Sequence, residues 1–116
     1  MNTNETKYTY YAKMQDTEHY LNCIELAHMY HIYSNKGKPH IRFVAALLSE
    51  YYRNNPDITK YYYNGSKGLY QVYPQSIWKP ILSKLMQDYE WGVEQSYITD
   101  KGKKHNFILD FENVTE

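Results

Sequence analysis

Side chains that can bind a metal are concentrated in the amino-terminal third of the sequence: His19, Cys23, Glu25, His28 and His31. Glu25 and His28 have the E-x-x-H spacing that places a carboxylate and an imidazole side by side on a helix, and His31 extends that face. His19 and Cys23 form a second pair, one helical turn apart, that points in another direction. Because one helix cannot gather both pairs around a single ion, we expect no bound metal.

Covalent catalysis has no recognisable signature in this sequence. Cys23 is the only cysteine and falls on the inner side of a predicted helix, where a thiol is usually unreactive. No G-x-S-x-G motif is present, and the segment "NGSKG" is too short for a phosphate-binding loop. We therefore expect a protein without catalytic residues and without a cofactor. A single cysteine also excludes an internal disulfide and fits a reducing cytosol.

Three segments have the periodicity of amphipathic helices. The first is predicted over 18–33, capped by Asp16 or Thr17, with Cys23 and Ile24 inward and Asn22 and Glu25 outward. The second begins near Pro39 and ends at "NNPD". Its apolar side is formed by Phe43, Val44, Leu47, Leu48, Tyr51 and Tyr52, and its other side by Arg42, Ala46, Ser49, Glu50 and Arg53. The third covers 74–89 and turns Lys79, Ser83, Lys84 and Gln87 toward solvent.

Short strands are predicted between and after these helices. Residues 69–73, "LYQVY", form one strand, and 7–14 are β-prone enough for an edge strand. Alternating side chains over 93–97 and 107–111, across a turn at 99–102, predict an antiparallel hairpin. The fold class is therefore a small α+β domain spanning 1–116, with about three helices, a small antiparallel sheet and a carboxy-terminal hairpin. Residues 1–6 and 112–116 are expected to be loose.

Charge limits the kinds of partner. Thirteen basic and thirteen acidic side chains cancel, which disfavours a general polyanion binder but leaves room for a local basic patch. The longest apolar run, 43–48, is far too short to span a membrane. The sequence shows no signal-peptide core, and we expect a cytoplasmic protein with no membrane partner.

The last helix and hairpin resemble the end of a winged-helix domain. A helix is followed by a two-stranded ribbon whose turn reads "DKGKKH", and basic wing residues of that family contact phosphates. The resemblance covers roughly 70 residues, with 41–53 as the first helix and 69–73 as the first strand. It implies a dimeric DNA-binding regulator of transcription or replication. Lys101, Lys103 and Lys104 would contact phosphates, and Lys79, Ser83, Lys84 and Gln87 would face the groove of duplex DNA.

Tyrosine is the most unusual feature of the composition, with fifteen residues against three phenylalanines. Neighbouring rings in "YTYY" and "YYY" cannot all enter one core, because adjacent side chains point in different directions on either a strand or a helix. Tyrosine suits binding surfaces, since it offers a large stiff ring with a polar tip. The predicted partner-binding residues are therefore Tyr8, Tyr10, Tyr11, Tyr61, Tyr62 and Tyr63.

The primary functional hypothesis is a small non-catalytic binding protein. It would belong to a phage or other mobile element and would inhibit or modulate a host protein through its tyrosine-rich surface. The alternative is the winged-helix DNA-binding regulator described above. A homodimer is compatible with either.

Overall fold

The computed structural model describes residues 20–66 and 68–110. Within them the chain forms, in order, α1 (Cys23–Met29), β1 (Ile32–Tyr33), α2 (Ile41–Asn54), β2 (Tyr61–Gly65), β3 (Gly68–Val72), α3 (Gln75–Asp88), β4 (Glu94–Ile98) and β5 (Lys104–Leu109). One antiparallel sheet has the strand order β1-β5-β4, and β2 and β3 form a separate antiparallel pair. The predicted small α+β fold class is confirmed.

Helix α1 is much shorter than the predicted 18–33. Asn22 is its N-cap: the Asn22 side chain accepts from the Glu25 N–H at 2.8 Å, and the Glu25 carboxylate accepts from the Asn22 N–H at 2.9 Å. This reciprocal capping box sets the start of the helix. Leu21 is extended, because it exchanges backbone hydrogen bonds with Tyr73. The chain leaves the helix through His31, whose φ of 58° is left-handed.

The short α1 also changes which of its side chains are buried. Leu26 and Ala27 are fully buried. Cys23 is half-buried and packs against the core, in agreement with its predicted inward position, but Ile24, also predicted to face inward, is 48% exposed. The predicted cap at Asp16 or Thr17 and the predicted strand over 7–14 lie outside the described residues. Residues 32–33, predicted as helix, form strand β1.

Helices α2 and α3 lie where their periodicity predicts them. Phe43, Val44, Leu47, Leu48 and Tyr52 of α2 are buried, and Ile77, Trp78, Leu82 and Leu85 are the buried side chains of α3. Pro80 lies inside α3 on its exposed side, so its ring is directed away from the core. Pro39 precedes α2 rather than starting it, because the N-cap is His40.

The core is centred on the contact between α2 and strand β5. Phe43 stacks on Phe107 with ring centroids 4.4 Å apart, and both side chains are fully buried. Along β5 the side chains of His105, Phe107 and Leu109 point inward, and the residues between them do not. The predicted carboxy-terminal hairpin is confirmed as β4 and β5, although Val93, the first residue of the predicted alternation, precedes β4 and is 45% exposed.

The order of elements can be given without the β2–β3 hairpin. Apart from β2 and β3, the order is helix, strand, helix, helix, strand, strand, with β5 between β1 and β4. The segments 41–53 and 69–73, which the sequence analysis used as the first helix and first strand of a winged-helix pattern, form α2 and β3. The segments used as its last helix and hairpin form α3 and the β4–β5 hairpin.

The tyrosine-rich segment is an insertion between α2 and α3. Its two strands pair from Tyr61 opposite Val72 to Gly65 opposite Gly68, and β2 was not predicted, because only 69–73 were expected to form a strand there. A two-stranded hairpin thus connects α2 to α3.

Two histidines lie where the start of α2 packs against β5: His40 caps the helix and His105 belongs to the strand. The Nδ1 atom of His40 accepts from the Phe43 N–H at 3.3 Å and so caps the helix, which requires an unprotonated Nδ1. His105 is buried and stacks on Phe43, with its ring centroid 6.1 Å from that of His40. Burial lowers the pKa of both imidazoles, and the neighbouring positive charge of Arg42 lowers each pKa further.

Acidification should destabilise the fold through this pair. Because both folded-state pKa values lie below the ordinary 6.5, the unfolded chain binds more protons, and stability falls as the pH drops through 6.5. His40→Asn keeps an N-cap acceptor and removes one titrating group. Its free energy of unfolding should match the wild type near neutral pH and fall less steeply on acidification, in urea melts at several pH values.

His40→Ala is the matched variant, since it removes the same titration and also the cap. It should show the shallower pH dependence together with a loss of about 1 kcal/mol at neutral pH. If His40→Asn kept the full wild-type slope, His40 would have no part in the acid sensitivity.

Candidate nucleic-acid interface

The outer face of α3 carries the polar residues that the sequence placed there. Lys79, Lys84 and Gln87 are exposed and Ser83 is half-exposed. Ser83 lies four residues from Lys79 and from Gln87, so these three share one stripe of the helix. Lys84 lies to the side of that stripe and forms an ion pair with Asp88, with 3.1 Å between Nζ and the carboxylate oxygen.

The turn between β4 and β5 presents three lysines. Lys101, Lys103 and Lys104 are all exposed, as predicted. The turn itself is tightly bonded: the Thr99 N–H donates to the Lys103 carbonyl at 2.9 Å, and the Lys103 N–H donates to the Thr99 hydroxyl at 3.1 Å. Gly102 has φ of 84°, a left-handed conformation that glycine adopts without strain. The lysines therefore extend from a well-defined backbone.

Helix α2 holds this turn in place through one carboxylate. Glu50 Oε1 accepts from the Tyr97 hydroxyl at 2.6 Å, and Oε2 accepts from the Asp100 N–H at 2.7 Å. One turn further along α2, Arg53 forms an ion pair and hydrogen bond with the Asp100 carboxylate. We call Glu50, Arg53, Tyr97 and Asp100 the turn clamp. Within the clamp, Arg53 pairs with Asp100, the one acid of the turn, and Glu50 adds a second carboxylate that fixes the turn through hydrogen bonds.

The Tyr97 hydroxyl is a fixed donor in this clamp. Burial raises the pKa of Tyr97 to about 12, and its hydrogen bond to Glu50 contributes in the same direction. The phenol therefore stays protonated across the physiological range and always donates to the carboxylate. Charge-assisted bonds of this kind are shorter and stronger than neutral ones.

A cavity of about 280 Å³ connects the clamp to α3. Its walls include Glu50 and Asn54 of α2, Tyr97 of β4, and Lys84 and Asp88 of α3. The structure thus brings Lys84 to the same side of the molecule as the turn clamp. Lys79 does not line this cavity.

The predicted tyrosine site is only partly within the described residues. Tyr8, Tyr10 and Tyr11 lie outside them. Tyr61, Tyr62 and Tyr63 are all half-buried on β2, so the prediction that a run of three rings cannot be wholly enclosed agrees with the structure. Tyr61 packs edge-on against the buried Tyr20, with centroids 5.2 Å apart, and Tyr63 contacts Tyr70 across the hairpin at 5.6 Å.

Four of the candidate metal ligands, Cys23, Glu25, His28 and His31, lie within the described residues. Among residues 20–66 and 68–110, no group of three or more histidine, cysteine, aspartate or glutamate side chains is placed to hold an ion, and His19 lies outside that set. Glu25 is part of the capping box, which explains its spacing without a metal. Burial raises the pKa of the Cys23 thiol to about 11, so this sulfur is a poor nucleophile.

Sequence reasoning missed the turn clamp. It placed Glu50 and Arg53 on the solvent side of α2, which is correct for the helix considered alone, but their partners are 47 or more residues away. The sequence did contain one signal: Glu50 and Arg53, an acid and a base three residues apart, share one face of a helix, and a basic hairpin turn follows later in the chain. That signal indicates a surface pair and does not identify Tyr97 or Asp100.

Comparison with models of protein families, with curated proteins and with solved structures found no match. Functional inference therefore depends on the geometry of the chain itself. None of the helices in the described part of the chain has the length and apolar character needed to cross a lipid bilayer.

Removing the Glu50 carboxylate should loosen the turn. Glu50→Ala deletes two charge-assisted hydrogen bonds at a partly exposed site, and we expect the free energy of unfolding to fall by about 1–2 kcal/mol in urea melts. Hydrogen exchange at the Asp100 amide should quicken. Glu94→Ala, an exposed acid on the same strand as Tyr97, is the control and should change stability by less than about 0.5 kcal/mol. Equal effects of the two variants would contradict a clamp at Glu50.

Proposed function

We propose that this protein binds duplex DNA through the outer face of α3 and the β4–β5 turn. The observation that carries the proposal is the sheet order β1-β5-β4 combined with three helices in the winged-helix sequence of elements. In that arrangement the third helix approaches the major groove, and the hairpin reaches the backbone beside it. Both elements here carry exposed polar or basic side chains.

Charge distribution supports this function although the whole chain is neutral. The turn concentrates three exposed lysines within four residues, and its one carboxylate is paired with Arg53. Phosphate binding responds to local charge, since each neutralised phosphate releases a counterion. A basic turn on a rigid hairpin can therefore bind the DNA backbone without a large net charge.

The chemistry of α3 indicates the mode of binding. Its outer face offers two lysines, two serines, a glutamine and Asp88, which pairs with Lys84, but no arginine, which is the residue most often used to read guanine. Gln87 can form paired hydrogen bonds with adenine, and Ser83 can bond to any base edge. We therefore expect the turn to supply most of the binding affinity and α3 to supply a modest preference for some DNA sequences.

Neutralising the turn should weaken binding and reduce its salt dependence. In the variant Lys101→Gln, Lys103→Gln, Lys104→Gln, three phosphate contacts are lost. The slope of log K against log salt should then become shallower by about 2–3, because each contact contributes about 0.9. Fluorescence anisotropy with a labelled duplex at several salt concentrations measures both quantities.

The control replaces three other exposed lysines and so changes the net charge equally: Lys36→Gln, Lys38→Gln and Lys60→Gln. It should keep most of the wild-type affinity and slope. Equal losses in both variants would show that binding does not depend on the β4–β5 turn. An absence of duplex binding by the wild type at low salt would reject the proposal altogether.

A second candidate function is protein binding through the tyrosine hairpin. It is favoured by one observation: three consecutive rings on β2 remain partly exposed on an insertion that the winged-helix connectivity does not need. Such rings suit a macromolecular contact. The partner would be a host protein of the phage or mobile element suggested by the composition. Capture of one stoichiometric host protein, with no duplex binding in the experiment above, would favour this candidate.

A further inference from the structure

The cavity of about 280 Å³ beside the turn clamp lies where the ends of α2 and α3 meet strand β4. Its lining includes Asn54 and Asp88, which are the last residues of the two helices. The other residues that either helix contributes lie within the two turns before these, at 47–51 and 81–85. The cavity is therefore placed at the carboxy-terminal ends of two helices.

The two helix ends give the cavity a negative potential. The last carbonyl groups of a helix have no partner within it, and the aligned peptide dipoles place roughly half a negative charge at that end. The last turn of α3 contains no basic residue, and it ends on the carboxylate of Asp88. The last turn of α2 contains Arg53, which is paired with Asp100. This environment favours a bound cation.

The charged side chains of the lining have the same preference. Glu50, Asp88 and Lys84 all line the cavity, so two carboxylates are set against one ammonium group. Lys84 and Asp88 form an ion pair whose side chains are 75% and 47% exposed, and exposed pairs of this kind are weak. A second cation can therefore share Asp88 with Lys84 at little cost.

Glu50 keeps the capacity to accept further hydrogen bonds. In the turn clamp, Oε1 accepts from the Tyr97 hydroxyl at 2.6 Å and Oε2 accepts from the Asp100 N–H at 2.7 Å. An ionised carboxylate has about four acceptor positions, two on each oxygen. One N–H donor of a ligand can thus bind each oxygen of Glu50 while the clamp stays intact.

Apolar and aromatic side chains form the rest of the described lining. Leu47 and Leu85 are buried, and Ile81, Tyr51 and Tyr89 are half-buried. A mostly apolar cavity with a few polar groups is the usual form of a small-molecule site, and such sites have volumes of about 300–1,000 Å³. This cavity is close to the lower bound, so its occupant must be small.

We propose that this cavity binds a small primary amine in its protonated form, with an apolar body about the size of a benzene ring. The ammonium group donates to the carboxylates of Glu50 and Asp88, and the body packs against Leu47, Ile81 and Leu85. A neutral molecule of the same shape can fill the cavity but forms no charge-assisted bond. The site needs no DNA, and it stands whether or not the protein binds a duplex.

A titration with 2-phenylethylammonium chloride, in the absence of DNA, tests the site. With isotope-labelled full-length protein, the largest amide shifts should fall within 47–54 and 81–89. The neutral analogue 2-phenylethanol should bind at least about tenfold more weakly, because it lacks the bonds between charged groups. Equal affinity for the amine and the alcohol would overturn the proposal. The absence of shifts in these two segments at the highest soluble amine concentration would also overturn it.

Asp88→Asn is the variant that tests the charge of the site. Asp88 is exposed at the end of α3, where loss of a negative charge does not harm the helix. The dissociation constant of the amine should rise about fivefold, and that of the alcohol should not change. Glu94→Gln makes the same change of net charge at an exposed residue of β4 that is not among the described residues of the lining, and it should leave amine binding unchanged. Equal losses in the two variants would mean that the amine follows the net charge of the protein, which would overturn the proposal.

The same ammonium chemistry could come from a lysine side chain of another protein. N-acetyl-lysine methylamide carries that side chain between two peptide groups and serves as its probe. It should bind more weakly than 2-phenylethylammonium, because its ammonium lies at the end of a thin flexible chain that fills less of the cavity. Tighter binding of the lysine probe would assign the cavity to a partner protein and would overturn a small-molecule site.

Discussion

The orientation of the β4–β5 turn depends on the carboxylate of Glu50. Helix α2 is anchored on its inner side, where Phe43 stacks on Phe107 of β5, and on its outer side Glu50 binds both Tyr97 and the backbone of Asp100. The same helix thus contacts the base of the hairpin through apolar packing and its tip through charge-assisted hydrogen bonds. Three exposed lysines would otherwise repel one another on a loose loop. With the clamp, they project from a defined backbone.

The described tyrosines lie both in the core and on the β2–β3 hairpin. Some of the tyrosines are core residues: Tyr20, Tyr33, Tyr52 and Tyr73 are all buried. Others, on β2 and β3, pack against one another and remain partly in water. Tyrosine therefore serves two purposes here. It supplies apolar area to a chain that has only twenty isoleucine, leucine and valine residues, and it builds a polar-tipped aromatic ribbon outside the core.

Elements with long, regular periodicity could be predicted from the sequence. Helices α2 and α3 and the β4–β5 hairpin lie close to their predicted bounds, since each has a clear apolar face or alternation and a turn or breaker at its end. The bounds of helix α1 could not be predicted in this way. Leu21 pairs through its backbone with Tyr73, 52 residues away in the sequence, and this pairing competes with the local helix propensity. The N-x-x-E capping box was a local signal for its true start.

The candidate site was predicted in part. The exposed lysines of α3 and of the turn follow from patterning, since charged residues on a polar helix face or in a hairpin turn stay in water. The clamp could not be predicted, because Glu50 and Arg53 find their partners only after α2 packs against β5. Strand β1 was not predicted for a related reason. The two-residue strand β1 has no pattern of its own and forms only by pairing with β5.

The most direct measurement is a titration of the isotope-labelled full-length protein with a short duplex, followed by two-dimensional NMR. If α3 and the turn bind DNA, the largest amide shifts should fall on 99–104 and on the outer face of 76–87, and they should diminish as salt is added. Shifts confined to the tyrosine hairpin, or no shifts at low salt, would contradict the proposed interface.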